Sequence, residues 1–235
     1  NRSIYIISYN FNSDKINFYS IISFIGNNKL IYSGNIFLNP FNFNINSSLD
    51  SLKIKKLFSN NFILREILSN DFILNENFNG KINLNVKKLE NNPFFDNLKL
   101  NVNFKGQTLE FNDSTFINDK IANLIVKKGI LYEEKNNIIF KSNVDFVIND
   151  LDRFYNKFVV PKKNRQNLKK ISLELLINLT TNDFKILNIT NQSFKNKEFP
   201  QIDELIYEFN NGSFKISNWI EFKVFANKII SSYNG

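Results

Sequence analysis

Apolar residues alternate strictly with Asn or Lys along much of this 235-residue chain. Phe41, Phe43 and Ile45 interleave with Asn42, Asn44 and Asn46, and Ile82, Leu84 and Val86 with Lys81, Asn83, Asn85 and Lys87. A period of two places the apolar side chains on one face of an extended strand and the amides on the other, whereas a helix needs recurrence at about three to four residues. The pattern returns in Leu98, Leu100, Val102 and Phe104, and in Ile171, Leu173, Leu175, Ile177 and Leu179. Each such strand has one dry face and one wet face.

The breaks between strands are short. Gly106 separates 98–104 from Leu109 and Phe111, residues 180–183 separate 171–179 from 184–189, Gly26-Asn27-Asn28 separates 15–25 from 29–38, and 133–137 separates 130–132 from 138–148. Asn and Gly supply the positive backbone torsions that tight turns need. Hairpins that follow one another without a long crossover helix predict a mainly β fold on a long, twisted antiparallel sheet with a few short helices.

Three stretches leave the two-residue period. Residues 47–70 hold Ser47 three positions before Asp50, then Leu49, Leu52, Leu57, Ile63, Ile67 and Leu68 at helical spacing, which predicts a short helical insertion broken at Ser59-Asn60-Asn61. Residues 150–158 predict a helix that ends before Pro161. Residues 218–232 predict a C-terminal helix with Trp219, Phe222, Ala226 and Ile229 on one face, able to cap a sheet end that would otherwise recruit another chain. The chain reads as a single β-rich unit, 1–235.

Composition removes most familiar enzyme chemistry. A chain that is 43% hydrophobic and 22% charged can bury a sizeable core, yet it has no Cys and no His. Thiolate nucleophiles, disulfides, histidine bases and Ser-His-Asp triads are therefore excluded, as are zinc sites. Glu133 and Glu134 fall in a turn, the 7 Gly are scattered and form no phosphate loop, and Asn149-Asp150-Leu151-Asp152 is too short to hold a cation. No catalytic residue, metal ligand or cofactor is expected. The 44 Asn and 32 Ile against 2 Ala follow AT-rich codons, and the dispersed amides do not make a prion-like tract. With no Met and with Asn1 first, the chain reads as a piece of a longer protein.

A formal charge of +8 favours anionic partners. Its densest segment is Pro161 to Lys170, where Lys162, Lys163, Arg165, Lys169 and Lys170 form either a solvated connection or a set of phosphate contacts. Nucleic acid is not the expected partner, because no recognition-helix, zinc or aromatic-platform signature accompanies the charge. Membrane phosphate fits better, and these five residues are the candidate contacts to an anionic headgroup.

The segments 74–82, 97–106 and 152–158 running into the Pro161 stretch, with Asn218-Trp219-Ile220-Glu221-Phe222-Lys223 at the end, resemble the C-terminal region of AsmA/TamB-like proteins of AT-rich bacteria. The resemblance covers about residue 41 to the C-terminus and carries no catalytic motif. It implies a curved, groove-like sheet with an apolar interior, phospholipid as the partner and lipid transport or membrane biogenesis as the role. It also implies a periplasmic setting in the cell envelope, at the inner membrane, through an anchor outside this piece. On that reading the lipid-binding rows are Ile82, Leu84 and Val86; Leu98, Leu100, Val102 and Phe104; and Ile171, Leu173, Leu175 and Ile177. Alternation alone leaves an open groove and a covered core equally permitted. A structural or adhesive β protein shares every strand signal, and an outer-membrane barrel fragment shares most of them, although Lys99 and Glu174 then need a lumen to face.

Overall fold

The computed structural model describes residues 4–25, 27–53, 77–165, 167–181, 183–191, 200–212 and 219–232. Among them are strands β1 Ile4–Asn12, β2 Lys15–Ile25, β3 Asn28–Leu38, β4 Phe41–Leu49, β5 Leu52–Lys53, β6 Asn79–Val86, β7 Leu89–Glu90, β8 Asn97–Lys105, β9 Thr108–Glu110 and β10 Thr115–Ile117. There follow β11 Ala122–Glu134, β12 Asn137–Ile148, β13 Lys170–Asn178 and β14 Asp183–Asn191, with helices α1 Leu151–Phe158, α2 Pro200–Asn211 and α3 Trp219–Ser232. The fold is mainly β. Twelve strands form one sheet in the order β1-β2-β3-β4-β6-β8-β10-β11-β12-β13-β14, with β9 pairing β8 and β11, while β5 and β7 form a small second sheet.

Most neighbours are hairpins, for the reason the turn residues suggest. Lys135 and Asn136, between β11 and β12, both have positive φ, 49° and 63°, the pair of torsions that matches a two-residue turn to strand twist. The sheet is nevertheless mixed. β4 runs parallel to β6, with Phe43 opposite Gly80 and Leu49 opposite Val86, and β5 runs parallel to β7. Uninterrupted hairpins fail here because residues 50–78 separate β4 from β6, a connection long enough to return the chain to the same end before it pairs.

The helical insertion expected over 47–70 is corrected at its start. Ser47 to Leu49 complete β4 and Leu52–Lys53 form β5, and the Ser47 hydroxyl donates across to the Asn83 carbonyl at 3.1 Å instead of capping a helix. Residues 54–70 lie outside the described residues. The helices expected at 150–158 and 218–232 are present as α1 and α3.

Where the sequence reading has one unit, the chain divides into two compact ones: Asn1–Ile117 with Ile130–Glu133, and Asn118–Gly129 with Glu134–Gly235. In the second unit β12, β13 and β14 pair antiparallel. Phe154 of α1 lies 5.6 Å from Phe146, and Phe209 of α2 lies 5.7 Å from Phe184. The helices thus form a second layer on the apolar face of these strands. α2 also closes an edge: the Asn210 side chain accepts from the Ile186 N–H at 2.9 Å and donates to the Ile186 carbonyl at 2.8 Å. One amide satisfies the two backbone groups that a neighbouring strand would otherwise take. The edge capping expected of the C-terminal helix is supplied at β14 by α2.

Candidate functional site

Cross-strand register in the first unit pairs like with like. A polar row runs through Asn10, Asn17, Asn35, Asn44, Lys81, Asn103 and Glu110. On the opposite face the adjacent row runs through Phe11, Ile16, Ile36, Phe43, Gly80, Phe104 and Leu109. Because every strand alternates, one register error would interleave amides with apolar side chains throughout, so the two faces fix the register together. Asn83 donates to Asn46 Oδ1 at 2.7 Å across β4 and β6.

The predicted rows on β6 and β8 do come together. Ile82 faces Val102, Leu84 faces Leu100 and Val86 faces Leu98. Room for the rings comes from Gly80, where a Cβ would stand 2.5 Å from the Phe43 ring. Without it Phe43 packs 5.1 Å from both Phe78 and Phe104, within the range in which aromatic pairs attract.

Coverage of this face is graded. Val86 and Leu98 are 0% exposed, enclosed in a cluster with Leu49 and with Leu89 of β7. Val102 and Phe104 are buried as well, whereas Ile82, Leu84 and Leu100 are half-buried. On β4 Phe43 and Leu49 are buried and Ile45 is half-buried, and Ile36 on β3 and Ile16 and Phe18 on β2 are half-buried. On β1 Phe11 is 57% and Tyr9 is 73% exposed. An apolar surface thus opens progressively from β8 toward β1. The predicted rows on β6 and β8 are its closed end; Tyr9, Phe11, Ile16, Phe18, Ile36 and Ile45, which carry the same alternation, extend it toward the open one. Across the sheet, the amide face carries a shallow recess of about 480 Å³ lined by Asn35, Phe37, Asn39, Pro40, Asn42 and Asn44, and Tyr19, Ile31 and Phe37 are exposed on it.

The third predicted row belongs to the second unit and is differently placed. Ile171 is buried and Leu173, Leu175 and Ile177 are half-buried, opposite Phe146, Val144, Ser142 and Phe140 respectively. α1 meets this face at Phe146 and α2 at Phe184, so helices stand over part of it, while Leu173, Leu175 and Ile177 keep partial exposure.

The basic segment also separates into different roles. Lys170 Nζ lies 2.7 Å from Asp145 Oδ2, and Asp145, itself buried, accepts from the Ser172 hydroxyl at 2.7 Å. Arg165 donates from Nε to the Val160 carbonyl at 3.1 Å and from Nη2 to Asn156 Oδ1 at 2.8 Å, with its guanidinium 5.7 Å from the Tyr155 ring. Those two cations hold the fold, which corrects their assignment to a headgroup. Lys162, Lys163 and Lys169 are exposed and make no ion pair among the described residues. Among the described residues, no group of three or more acidic side chains is placed to hold a metal ion, and no helix is long and apolar enough to cross a membrane.

No family model, curated protein or solved structure matches this chain.

Proposed function

We propose that the chain binds phospholipid without catalysis, laying an acyl chain against the apolar face of the first unit, in lipid transport or membrane biogenesis at the bacterial cell envelope. The observation that carries this reading is the graded face itself: an uncharged surface that begins buried at β8 and ends exposed at β1. From β8 to β1 the row crosses six strands, about 24 Å at roughly 4.8 Å per spacing. One leaflet's acyl chains span about 15 Å, half of a roughly 30 Å hydrocarbon core. The face is therefore long enough for an acyl chain, and each methylene it covers is worth about 0.8 kcal/mol. The resemblance to AsmA/TamB-like proteins belongs to the same proposal and adds the periplasmic setting.

A second reading, a structural or adhesive β protein, draws on one observation: Tyr19, Ile31 and Phe37 are exposed on the amide face, so apolar surface near β1 is not confined to one side. Purification without detergent, followed by mass spectrometry of the extracted lipid, separates the two. Phospholipid that accompanies the folded protein, and is lost when Ile45 and Leu100 become Asp, supports acyl binding. Folded protein that carries no lipid and takes up none on addition supports the structural reading.

A further inference from the structure

The turn after α1 presents an apolar side chain where glycine is usual. Val159 has φ 58°; its N–H donates to the Asn156 carbonyl at 3.3 Å, and the N–H of Val160 donates to the Tyr155 carbonyl at 2.9 Å. These are the paired bonds that close a helix through a left-handed residue, a position filled by Gly or Asn because a β-branched side chain crowds its own backbone there. Val159 is also 64% exposed, so packing does not offset the strain.

The turn is braced from beneath. Asn227 of α3 donates to the Val159 carbonyl at 3.0 Å, Asn164 donates to the Ser231 hydroxyl at 2.9 Å, Arg165 holds the Val160 carbonyl, and Val160 itself is buried. The next residues, Pro161, Lys162 and Lys163, are exposed. An aliphatic tip is thus fixed beside two cations that no carboxylate neutralises among the described residues.

We infer that this turn docks on an anionic membrane surface, with Val159 entering the boundary between headgroups and acyl chains and Lys162 and Lys163 meeting lipid phosphates. Both halves of the surface find a partner there: interfacial binding combines buried apolar area with attraction to anionic lipid. A nucleic acid would meet the lysines but has no use for the aliphatic tip, since its bases stack on planar side chains. The inference does not depend on the acyl path in the first unit.

Flotation of the full chain with vesicles tests it. Equimolar phosphatidylglycerol and phosphatidylcholine should float the protein, and phosphatidylcholine alone should not. Lys162→Gln with Lys163→Gln should weaken that binding about 25-fold, from roughly fivefold per lysine charge near an anionic surface. Val159→Asn should weaken binding while raising the thermal midpoint, because it relieves the left-handed strain, and Val159→Leu should retain binding. Phospholipid that co-purifies with the full chain should be unchanged in Val159→Asn, which keeps failure here distinct from failure of the acyl-binding reading. Three results would overturn the inference: Val159→Asn floating like the parent, equal flotation with both vesicle types, or lysines that retard single-stranded RNA in a gel while the protein ignores vesicles.

Discussion

Leu98 and Leu100 occupy the same strand and the same face two residues apart, and they should respond differently to truncation. Leu98 is fully enclosed by Leu49, Val86 and Leu89, so Leu98→Ala removes buried methylenes and leaves a cavity that β-strand neighbours cannot collapse into. The expected loss is about 3 kcal/mol, near the middle of the range of roughly 2–5 for buried Leu→Ala. Leu100 is half-buried, and removing about half as much buried area costs about 1 kcal/mol. With a urea m-value of about 2 kcal/mol/M, the midpoints should fall by about 1.5 M and about 0.5 M. Urea unfolding followed by circular dichroism, with hydrogen exchange of the β8 amides as a local probe, reads both numbers. Phospholipid adds a second axis: at about 100 times its Kd it should raise stability by about 2.7 kcal/mol in the parent. That gain should persist in Leu98→Ala and vanish in Leu100→Asp. Equal losses for the two alanine variants, or a phospholipid gain indifferent to Leu100→Asp, would refute the graded face.

Other consequences follow from the polar contacts. Lys170→Ala leaves Asp145 buried with the Ser172 hydroxyl as its remaining partner among the described residues and should cost about 2–3 kcal/mol in chemical denaturation, whereas Lys162→Ala should stay within about 0.5 kcal/mol of the parent. Asn210→Ala uncovers the β14 edge; hydrogen exchange at Ile186 should accelerate and light scattering should report self-association. The hydrogen bond from Lys87 Nζ, 2.8 Å from Asp50 Oδ1, holds the Asp50 carboxyl below the ordinary carboxylate value. A lowered value in the folded state means that this contribution to stability is present above the ordinary value of 3.8 and is lost as the pH falls through the folded one. Titration by NMR should find it raised in Lys87→Ala.

Alternation makes the strands legible because each is specified locally: 41–46 and 81–87 can bury their apolar side chains together only as extended chain. What alternation cannot carry is the neighbour. β4 could meet β6 only after residues 50–78 had returned the chain, and no local pattern states the direction of that return. Coverage is equally non-local, since Leu98 and Leu100 read alike, yet Leu98 sits inside the cluster with Leu49 and Leu89 while Leu100 packs at its margin and stays half-buried. The basic run shows the same limit: five cations look equivalent in sequence, while Asp145 and Ser172 on one side, and Asn156 and Tyr155 on the other, arrive from elsewhere to occupy Lys170 and Arg165. α2 is a different case. Pro200 at the first helical position with Ile202, Leu205, Ile206 and Phe209 at helical spacing is a signal that the sequence alone carries.

The claim that acyl chains lie on the apolar face of the first unit is tested most directly by site-specific photocrosslinking in the presence of phospholipid. A benzophenone side chain at Ile45 or Leu100 faces the proposed path, and one at Asn44 or Asn101 faces the amide side of the same strands. Phospholipid adducts at 45 and 100 with none at 44 and 101, in variants shown to be folded, is the expected result. Adducts at all four positions alike, or at none, would contradict it.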